Sequence, residues 1–480
     1  MASIEMKADL SSLVSALVAG DTSAIVAAAH DLLAHGESAD VLIGRIGLIA
    51  SHGDPTGQTL LMLNAAAMLC RYLHTIPQPL EGSTPESERA LPLFAEAMLA
   101  AAPAVRAGQK AQDTYPEPYF PSGLGEKGSV NAAMKQAVQN NDVERVERLL
   151  LGLYGTGADY RTLEVRAYES IATTFQNGGR PLMFAARGFQ LLGTVEWGDR
   201  VPNIIHWLAP HLPLRPDVAA PAWVQTVSNF AADPAHDMSG IRTRISAPKN
   251  QNALPLYQLL LSDADTTQVC QAVYDAVIKG EASSRAVSSV IALAAAEVMN
   301  LVGDGDRALF TRVAQGLLFA SAIRLAFQQV QDVEILPLLF TSAAFVNTLR
   351  KETVAQNHTA NPIQASSSAV LGGGLIAPAQ LDTLKAQLVG RDASGALATA
   401  RRYMKLNYDV RALFAVIGLV AAQTNASLDQ GYALQIVQAA SEEFLAWPHT
   451  LADTSIDIYL QIAIRAAAFG DRDSVVSSLL

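Results

Sequence analysis

The sequence predicts an all-α protein made of four tandem, divergent multi-helix repeat units, arranged as two pseudo-symmetric halves. Three observations lead to this prediction. Apolar residues recur at helical spacing nearly throughout the chain, and no run shows the sustained alternation that is typical of a β-strand. A similar order of helix starts and breaks recurs four times, at a period of about 120 residues. Long polar segments follow the first three occurrences at equivalent positions.

An aspartate opens an apolar helical run in each of the four units. These residues are Asp21, Asp142, Asp265 and Asp392, and they are 121, 123 and 127 residues apart. Asp is favoured at a helix N-cap because its carboxylate accepts hydrogen bonds from the free N–H groups of the first turn. The predicted units are 1–128, 129–251, 252–376 and 377–480. The two halves are predicted to meet near residue 250.

A later helix of each unit carries a long polar residue in its predicted first turn. These residues are Gln58, Arg180, Arg307 and Gln430. Because repeat units present the same face to a shared axis, the four side chains could line one central cavity. The alternative is that they are polar residues at helix starts that reach solvent.

The composition is unusually apolar for a soluble protein. Hydrophobic residues make up 50% of the chain and charged residues 16%, where about a quarter charged is usual. The surplus apolar surface can fill a core, line a cavity or form a subunit interface. We expect no membrane span, because the most apolar runs, Ala286–Val302 and Ala412–Ala422, are interrupted by Glu297 or too short for the roughly 20 residues that a span requires.

Charge and cysteine usage favour an acidic, soluble, cytoplasmic protein. The formal net charge is -11, and basic clusters do not exceed two residues, which argues against nucleic acid as a partner. The first ten residues show neither the basic region nor the apolar region of a signal peptide. Cys70 and Cys270 lie in apolar helical patterns, far apart in the sequence, which suits a reducing compartment.

Three long loops are candidates for functional segments. They are Gly108–Gly128, Ala232–Gln251 and Lys351–Leu375. Loops longer than about 12–15 residues are uncommon in compact domains and are usually functional or disordered. The first is rich in Tyr and Pro, which predicts packing against the body of the protein.

The sequence lacks the motifs of several large enzyme classes. It has no His-Glu-x-x-His, no paired Cys-x-x-Cys, no P-loop and no Gly-x-Ser-x-Gly. Classical zinc proteases, P-loop NTPases and serine hydrolases are therefore improbable. No cofactor or metal is indicated, and metal binding by one of the nine histidines is left open.

The turn before the fourth helix of the first unit is one candidate ligand site. His52, Asp54 and Gln58 occur close together there, and an imidazole and a carboxylate beside a helix N-terminus can form an anion or metal pocket. The alternative is a C-capping His followed by an N-capping Asp.

His206 and His211 are weaker candidates. Their spacing of five residues, with a proline between them, does not place both on one helical face. The neighbouring Trp207 indicates a buried packing position for this segment.

The second long loop holds the other candidate ligand site. His236 lies beside Asp237, with Arg242 shortly after it. The carboxylate could set the tautomer of the imidazole, and the arginine could bind a carboxylate or phosphate. The alternative is a solvated polar loop with weak ion pairs. His358 occupies the equivalent loop of the third unit and could approach His236 across a pseudo-twofold axis.

Two functions remain open. The first is a helical repeat protein without catalytic activity that binds a protein partner or self-assembles. The second is a small-molecule-binding protein or enzyme, metal-dependent in one version, with an apolar cavity between helices that the long loops gate. The absence of catalytic motifs and the apolar excess favour the first by a small margin. A small hydrophobic ligand is the partner that the second function requires.

Overall fold

The described part of the protein consists of helices joined by turns and loops. The computed structural model describes residues 9–77, 86–110, 114–125, 128–195, 201–215, 218–236, 238, 254–278, 282–330, 333–356, 376–447 and 456–470. Within these ranges there is no β-strand. The predicted all-α class is confirmed.

The α-helices are numbered here in chain order. The first eleven are α1 (Ser11–Ala19), α2 (Thr22–Ala34), α3 (Ala39–Ser51), α4 (Gln58–Cys70), α5 (Glu86–Gly108), α6 (Val130–Gln139), α7 (Val143–Gly155), α8 (Tyr160–Ile171), α9 (Arg180–Leu192), α10 (Val201–Leu208) and α11 (Ala222–Ala232). The others are α12 (Leu254–Leu260), α13 (Thr266–Ile278), α14 (Ser284–Asn300), α15 (Arg307–Gln329), α16 (Pro337–Ala355), α17 (Ala377–Val389), α18 (Ala393–Lys405), α19 (Val410–Ala421), α20 (Ala426–Asp429), α21 (Tyr432–Leu445) and α22 (Asp457–Ala468).

The four aspartates that were predicted as N-caps all cap helices. Each carboxylate accepts a hydrogen bond from the backbone N–H three residues later, at 3.1 Å for Asp21, 3.1 Å for Asp142, 2.8 Å for Asp265 and 2.8 Å for Asp392. The capped helices are α2, α7, α13 and α18. This local prediction is confirmed, because capping depends only on residues within one turn.

Three of the four predicted polar helix starts are also in place. Helices α4, α9 and α15 begin at Gln58, Arg180 and Arg307. The placement of Gln430 in a first turn is wrong, because α21 begins two residues later and Gln430 has a left-handed φ of 57°. The physical reason is Asp429, whose carboxylate accepts bonds from the N–H groups of Gly431 and Ala433 and so fixes the cap beyond Gln430.

Helices α4, α9, α15 and α21 form a closed ring at the centre of the described structure. Each packs against two of the others, in the order α4, α9, α15, α21 and back to α4. Further helices surround this ring: α3 packs on α4, α8 on α9, α14 on α15, and α22 on α21. The ring therefore connects helices from all four quarters of the sequence.

Glycines allow close contact at three corners of the ring. Gly57, before α4, has a φ of 71°, and a Cβ placed there would lie 2.2 Å from Phe184 of α9. A Cβ added at Gly179, before α9, would lie 2.2 Å from Phe319 of α15. A Cβ added at Gly431, before α21, would lie 2.3 Å from Met62 of α4. Only glycine combines the left-handed conformation with this approach.

The fourth corner, between α15 and α21, is different because α15 is longer and shifted along its axis. Helix α15 has 23 residues, against 13 in α4 and α9 and 14 in α21. Gly57 meets the fifth residue of α9, whereas Gly179 meets the thirteenth residue of α15. Helix α15 therefore projects beyond its neighbours by about two turns, or roughly 12 Å.

The core takes up most of the apolar surplus. Helix α4 is buried on all sides, with eleven buried residues from Leu60 to Cys70. Six large hydrophobic side chains are exposed among the described residues: Tyr115, Phe120, Tyr160, Ile376, Val389 and Leu445. Cys70 and Cys270 are both buried and free.

The expectation that no segment could span a membrane needs correction. By length and composition alone, three helical segments could do so: Glu88–Gly108, Arg307–Gln329 and Val333–Ala355. These segments are not uninterrupted apolar runs, because each contains a few charged residues, and a search for such runs does not find them. Inside the protein, 67%, 72% and 78% of their most apolar windows are buried, so this apolar surface is used in helix packing.

Candidate functional site

Polar side chains meet at the end of the ring where α4 and α9 begin. The side-chain amide of Gln58 donates to the backbone carbonyl of Gln430 at 2.6 Å. Its carbonyl oxygen accepts from Arg180 at 2.6 Å, and Arg180 also donates to the carbonyl of Thr56 at 3.2 Å. Three of the four residues predicted to share a cavity are therefore in one hydrogen-bonded group.

Arg307 lies outside this group, on the projecting end of α15. It is exposed and lines a cleft at the open corner of the ring, together with Gln430. The cleft has a volume of about 410 Å³. Its walls are the first turns of α15, the start of α21 and the end of α22, and its lining residues include Phe310, Thr311, Tyr432, Ile436, Ala466 and Phe469.

Arg465 of α22 holds one wall of the cleft in place. It is only 3% exposed, and its Nε donates to Asp304 at 2.8 Å while its other nitrogens donate to the carbonyls of Met299 and Val302. Its guanidinium carbon lies 4.8 Å from the ring centre of Phe310. Burial lowers the pKa of Arg465 below its usual value, and Asp304 opposes that shift. This arginine is therefore fully engaged by the protein itself.

A second polar cluster lies inside the ring and joins helices that are diagonal to each other. Arg187 of α9 pairs with Glu442 of α21 and donates to Ser321 of α15 at 2.8 Å. Gln190 donates to Glu442 at 3.0 Å and accepts from Asn64 of α4 at 2.9 Å. All four ring helices therefore contribute to one hydrogen-bonded layer.

The charges of this buried layer are balanced. Arg324 donates to Glu443 at 2.6 Å, and the two side chains are 3% and 1% exposed. Burial acts to raise the pKa of Glu442, but Arg187 and Arg324 outweigh it and hold that pKa below its usual value. Removing one member of a buried ion pair of this kind is strongly destabilising, because it leaves the other charge buried without a partner.

The residues of the first candidate site perform structural roles in the described contacts. Asp54 is buried and accepts bonds from the hydroxyl of Thr56 at 2.9 Å and from the N–H of Leu60 at 3.2 Å, so it caps the start of α4. His52 is the C-cap residue of α3. This is the capping alternative that the sequence analysis described.

His52 also has a neighbour that the sequence did not indicate. Its ring stacks on His206 of α10 at 5.9 Å, and the ring of Tyr115 meets His206 edge-on at 5.7 Å. His206 is bonded through Nδ1 to the buried Glu147 at 2.7 Å. The partners come from four separate segments, so no spacing in the sequence could have revealed the group.

His211 packs against the aromatic ring of Phe184. Its ring lies 3.8 Å from that of Phe184 in a stacked geometry. Burial, reinforced by the nearby Arg180 and Arg215, lowers the pKa of His211 to about 4. His211 is therefore neutral near pH 7.

His236 is held at the end of α11. Its ring stacks on Phe230 at 3.7 Å and meets Tyr274 edge-on at 5.0 Å, and its Nδ1 lies 2.9 Å from the carbonyl oxygen of Phe230. The other members of its predicted site, Asp237 and Arg242, lie outside the described residues, as does His358.

The described part of the first long loop packs on the body, as predicted. The N–H of Tyr119 donates to the carbonyl of Arg148 in α7 at 2.8 Å, and Arg148 donates to the carbonyl of Glu117 at 2.9 Å. This segment therefore lies on α7, whereas α15, α21 and α22 form the cleft.

Two findings bear on the identity of the site. Among the described residues, no group of three or more His, Cys, Asp or Glu side chains is placed to hold a metal ion.

No protein-family model matches the chain, and comparisons with curated proteins and with solved structures find no similar protein. The function must therefore be inferred from the geometry of the cleft and the ring.

Proposed function

We propose that this protein binds a small, largely apolar molecule in the cleft between α15, α21 and α22. The observation that carries the proposal is the open corner, where the shift of α15 leaves a cleft of about 410 Å³. This volume lies within the range of about 300–1,000 Å³ that is typical of ligand sites. Such sites are mostly apolar with a few placed polar groups, and the aromatic and aliphatic lining of this cleft fits that description.

The proposal can be tested with dansylamide, a small uncharged fluorophore whose emission rises in apolar surroundings. Ala308 lines the cleft but is exposed, so Ala308→Trp should fill the cleft without disturbing the core. Ala27, exposed on α2, provides the matched control Ala27→Trp. We expect saturable dansylamide binding to the wild type and to the control, and at least tenfold weaker binding to Ala308→Trp. Equal binding by all three proteins would refute the proposal.

We also propose that the chain consists of four divergent copies of one helical unit, with the boundaries 1–128, 129–251, 252–376 and 377–480. Equivalent helix pairs support this: α1 packs on α2, α6 on α7, α12 on α13, and α17 on α18. The four capping aspartates begin the second helix of each pair. If the corners are equivalent, Gly57→Ala and Gly179→Ala should both destabilise the protein, because a Cβ at either position would lie 2.2 Å from an aromatic ring of the next ring helix. Wild-type stability of either variant in urea unfolding would argue against equivalent units.

Self-association or binding of a protein partner is the second function that we keep as a proposal. The six large hydrophobic side chains that are exposed among the described residues, on several different elements, are the apolar groups available for such a contact. Native mass spectrometry tests self-association directly. A mass equal to one chain of 50.9 kDa at micromolar concentration would refute it.

A cytoplasmic location also stays a proposal, supported by the two free, buried cysteines. The three segments that could span a membrane by length and composition count against it. Fractionation of cells that express the protein separates the two outcomes. Recovery in the membrane pellet that only detergent reverses would refute the cytoplasmic location.

A further inference from the structure

The charges around the cleft at the open corner cancel. The lining contains two cationic side chains, Arg307 and Arg465, and two carboxylates, Asp304 and Asp429. Arg465 and Asp304 are bonded to each other. The cleft therefore offers no net charge to a ligand.

The Asp429 carboxylate is also engaged by the protein. Its two oxygens accept from the N–H groups of Gly431 and Ala433, at 2.7 Å and 2.9 Å. The same bonds occupy the positive end of α21, which would otherwise attract an anion. At the start of α15, Asp306 plays the same part by accepting from the N–H of Leu309 at 2.9 Å. Neither helix start is therefore left as an anion site.

Two hydroxyl-bearing side chains, Tyr432 and Thr311, also line the cleft, beside the polar Gln430. The hydroxyl of Tyr432 accepts from Gln315 at 3.4 Å, and its own hydrogen donates to no partner among the described contacts. Thr311, on the facing wall, supplies a second hydroxyl. Around them lie the rings of Phe310 and Phe469. These groups suit an oxygen acceptor on a flat, apolar molecule.

We infer that the ligand of this cleft is an uncharged, compact molecule with a ring system and a carbonyl, ether or hydroxyl oxygen. The inference rests on the proposed binding function of the same cleft. An ion would enter a site that carries no net charge and would lose hydration without a net opposite charge to replace it, which is costly. A neutral oxygen acceptor loses far less hydration free energy on entering the cleft, and it gains a hydrogen bond from the hydroxyl of Tyr432.

Three dansyl compounds test the inference because they share one ring system. Dansylamide is neutral, dansylglycine carries a carboxylate and dansylcadaverine an ammonium group. We expect the dissociation constant of dansylamide to be at least fivefold lower than those of both charged compounds. Tyr432→Phe should weaken dansylamide binding by about 2- to 12-fold, the value of one hydrogen bond, and leave the fold unchanged by circular dichroism.

The outcomes separate the two proposals. If Ala308→Trp abolishes binding but either charged compound binds as tightly as dansylamide, the inference of an uncharged ligand is overturned and the binding function stands. If dansylamide is preferred but Tyr432→Phe binds it normally, the assigned oxygen contact is overturned. If no dansyl compound binds in a manner that Ala308→Trp abolishes, the binding function and the inference both fall.

Discussion

The buried pair between Arg187 and Glu442 gives a demanding test of the ring. Its side chains are 6% and 11% exposed, and it joins two diagonal helices. Glu442→Gln keeps the shape of the side chain, so it creates no cavity, but it leaves the Arg187 guanidinium without its counter-charge. Removing one member of a buried pair costs about 3–5 kcal/mol. We expect the free energy of unfolding of Glu442→Gln to fall by that amount.

A matched control comes from an exposed pair of the same residue types. Glu144 lies 3.6 Å from Arg148 on α7, and its side chain is 71% exposed. A helical surface pair of this kind contributes about 0.3–0.5 kcal/mol, so Glu144→Gln should be nearly neutral. Urea unfolding followed by far-ultraviolet circular dichroism compares the two variants with the wild type. If the free energy of unfolding falls by the same small amount in both variants, the claim that Arg187 depends on Glu442 as its buried counter-charge is refuted.

Three further predictions concern pH, a ring corner and a helix cap. Because the pKa of Glu442 is lowered in the folded state, its contribution is present above pH 4.5 and is lost as the pH falls through the folded-state value. The stability difference between wild type and Glu442→Gln should therefore shrink in urea titrations below pH 4.5, and a constant difference would contradict this. Gly57→Ala should cost about 2–5 kcal/mol, the sum of left-handed strain and overlap with Phe184. Gly36→Ala, with a φ of 83° and nothing within 4 Å, should cost about 1–2 kcal/mol by the same unfolding assay, and equal costs would show that the corner is not tightly packed. Asp392→Ala should cost about 1 kcal/mol through loss of the cap of α18, and thermal unfolding unchanged from wild type would oppose it.

Sequence reasoning was reliable where the physical cause is local. The capping aspartates and the starts of α4, α9 and α15 depend on residues within one turn, and all of these were predicted. Gln430 was misplaced by two residues because the competing cap of Asp429 was not recognised.

The contacts that build the ring and the cleft join distant parts of the chain. Arg187 and Glu442 inside the ring are 255 residues apart, and Arg465 and Asp304 at the cleft are 161 apart. Helical periodicity shows which residues face inward, but it does not show which of them meet. The cleft itself depends on the shift of α15 along its axis, a tertiary feature that spacing in the sequence does not encode.

The shift of α15 along its axis affects which positions of the protein can accept amino-acid substitutions. Three corners are held by glycines in contact with a neighbouring helix, and these tolerate little variation. At the projecting start of α15, Arg307 and Ala308 are exposed and carry no such constraint. Substitutions there would reshape the cleft while the interlocked corners keep the scaffold intact. One displaced helix thus separates the residues that would select the proposed ligand from the part of the protein that keeps it folded.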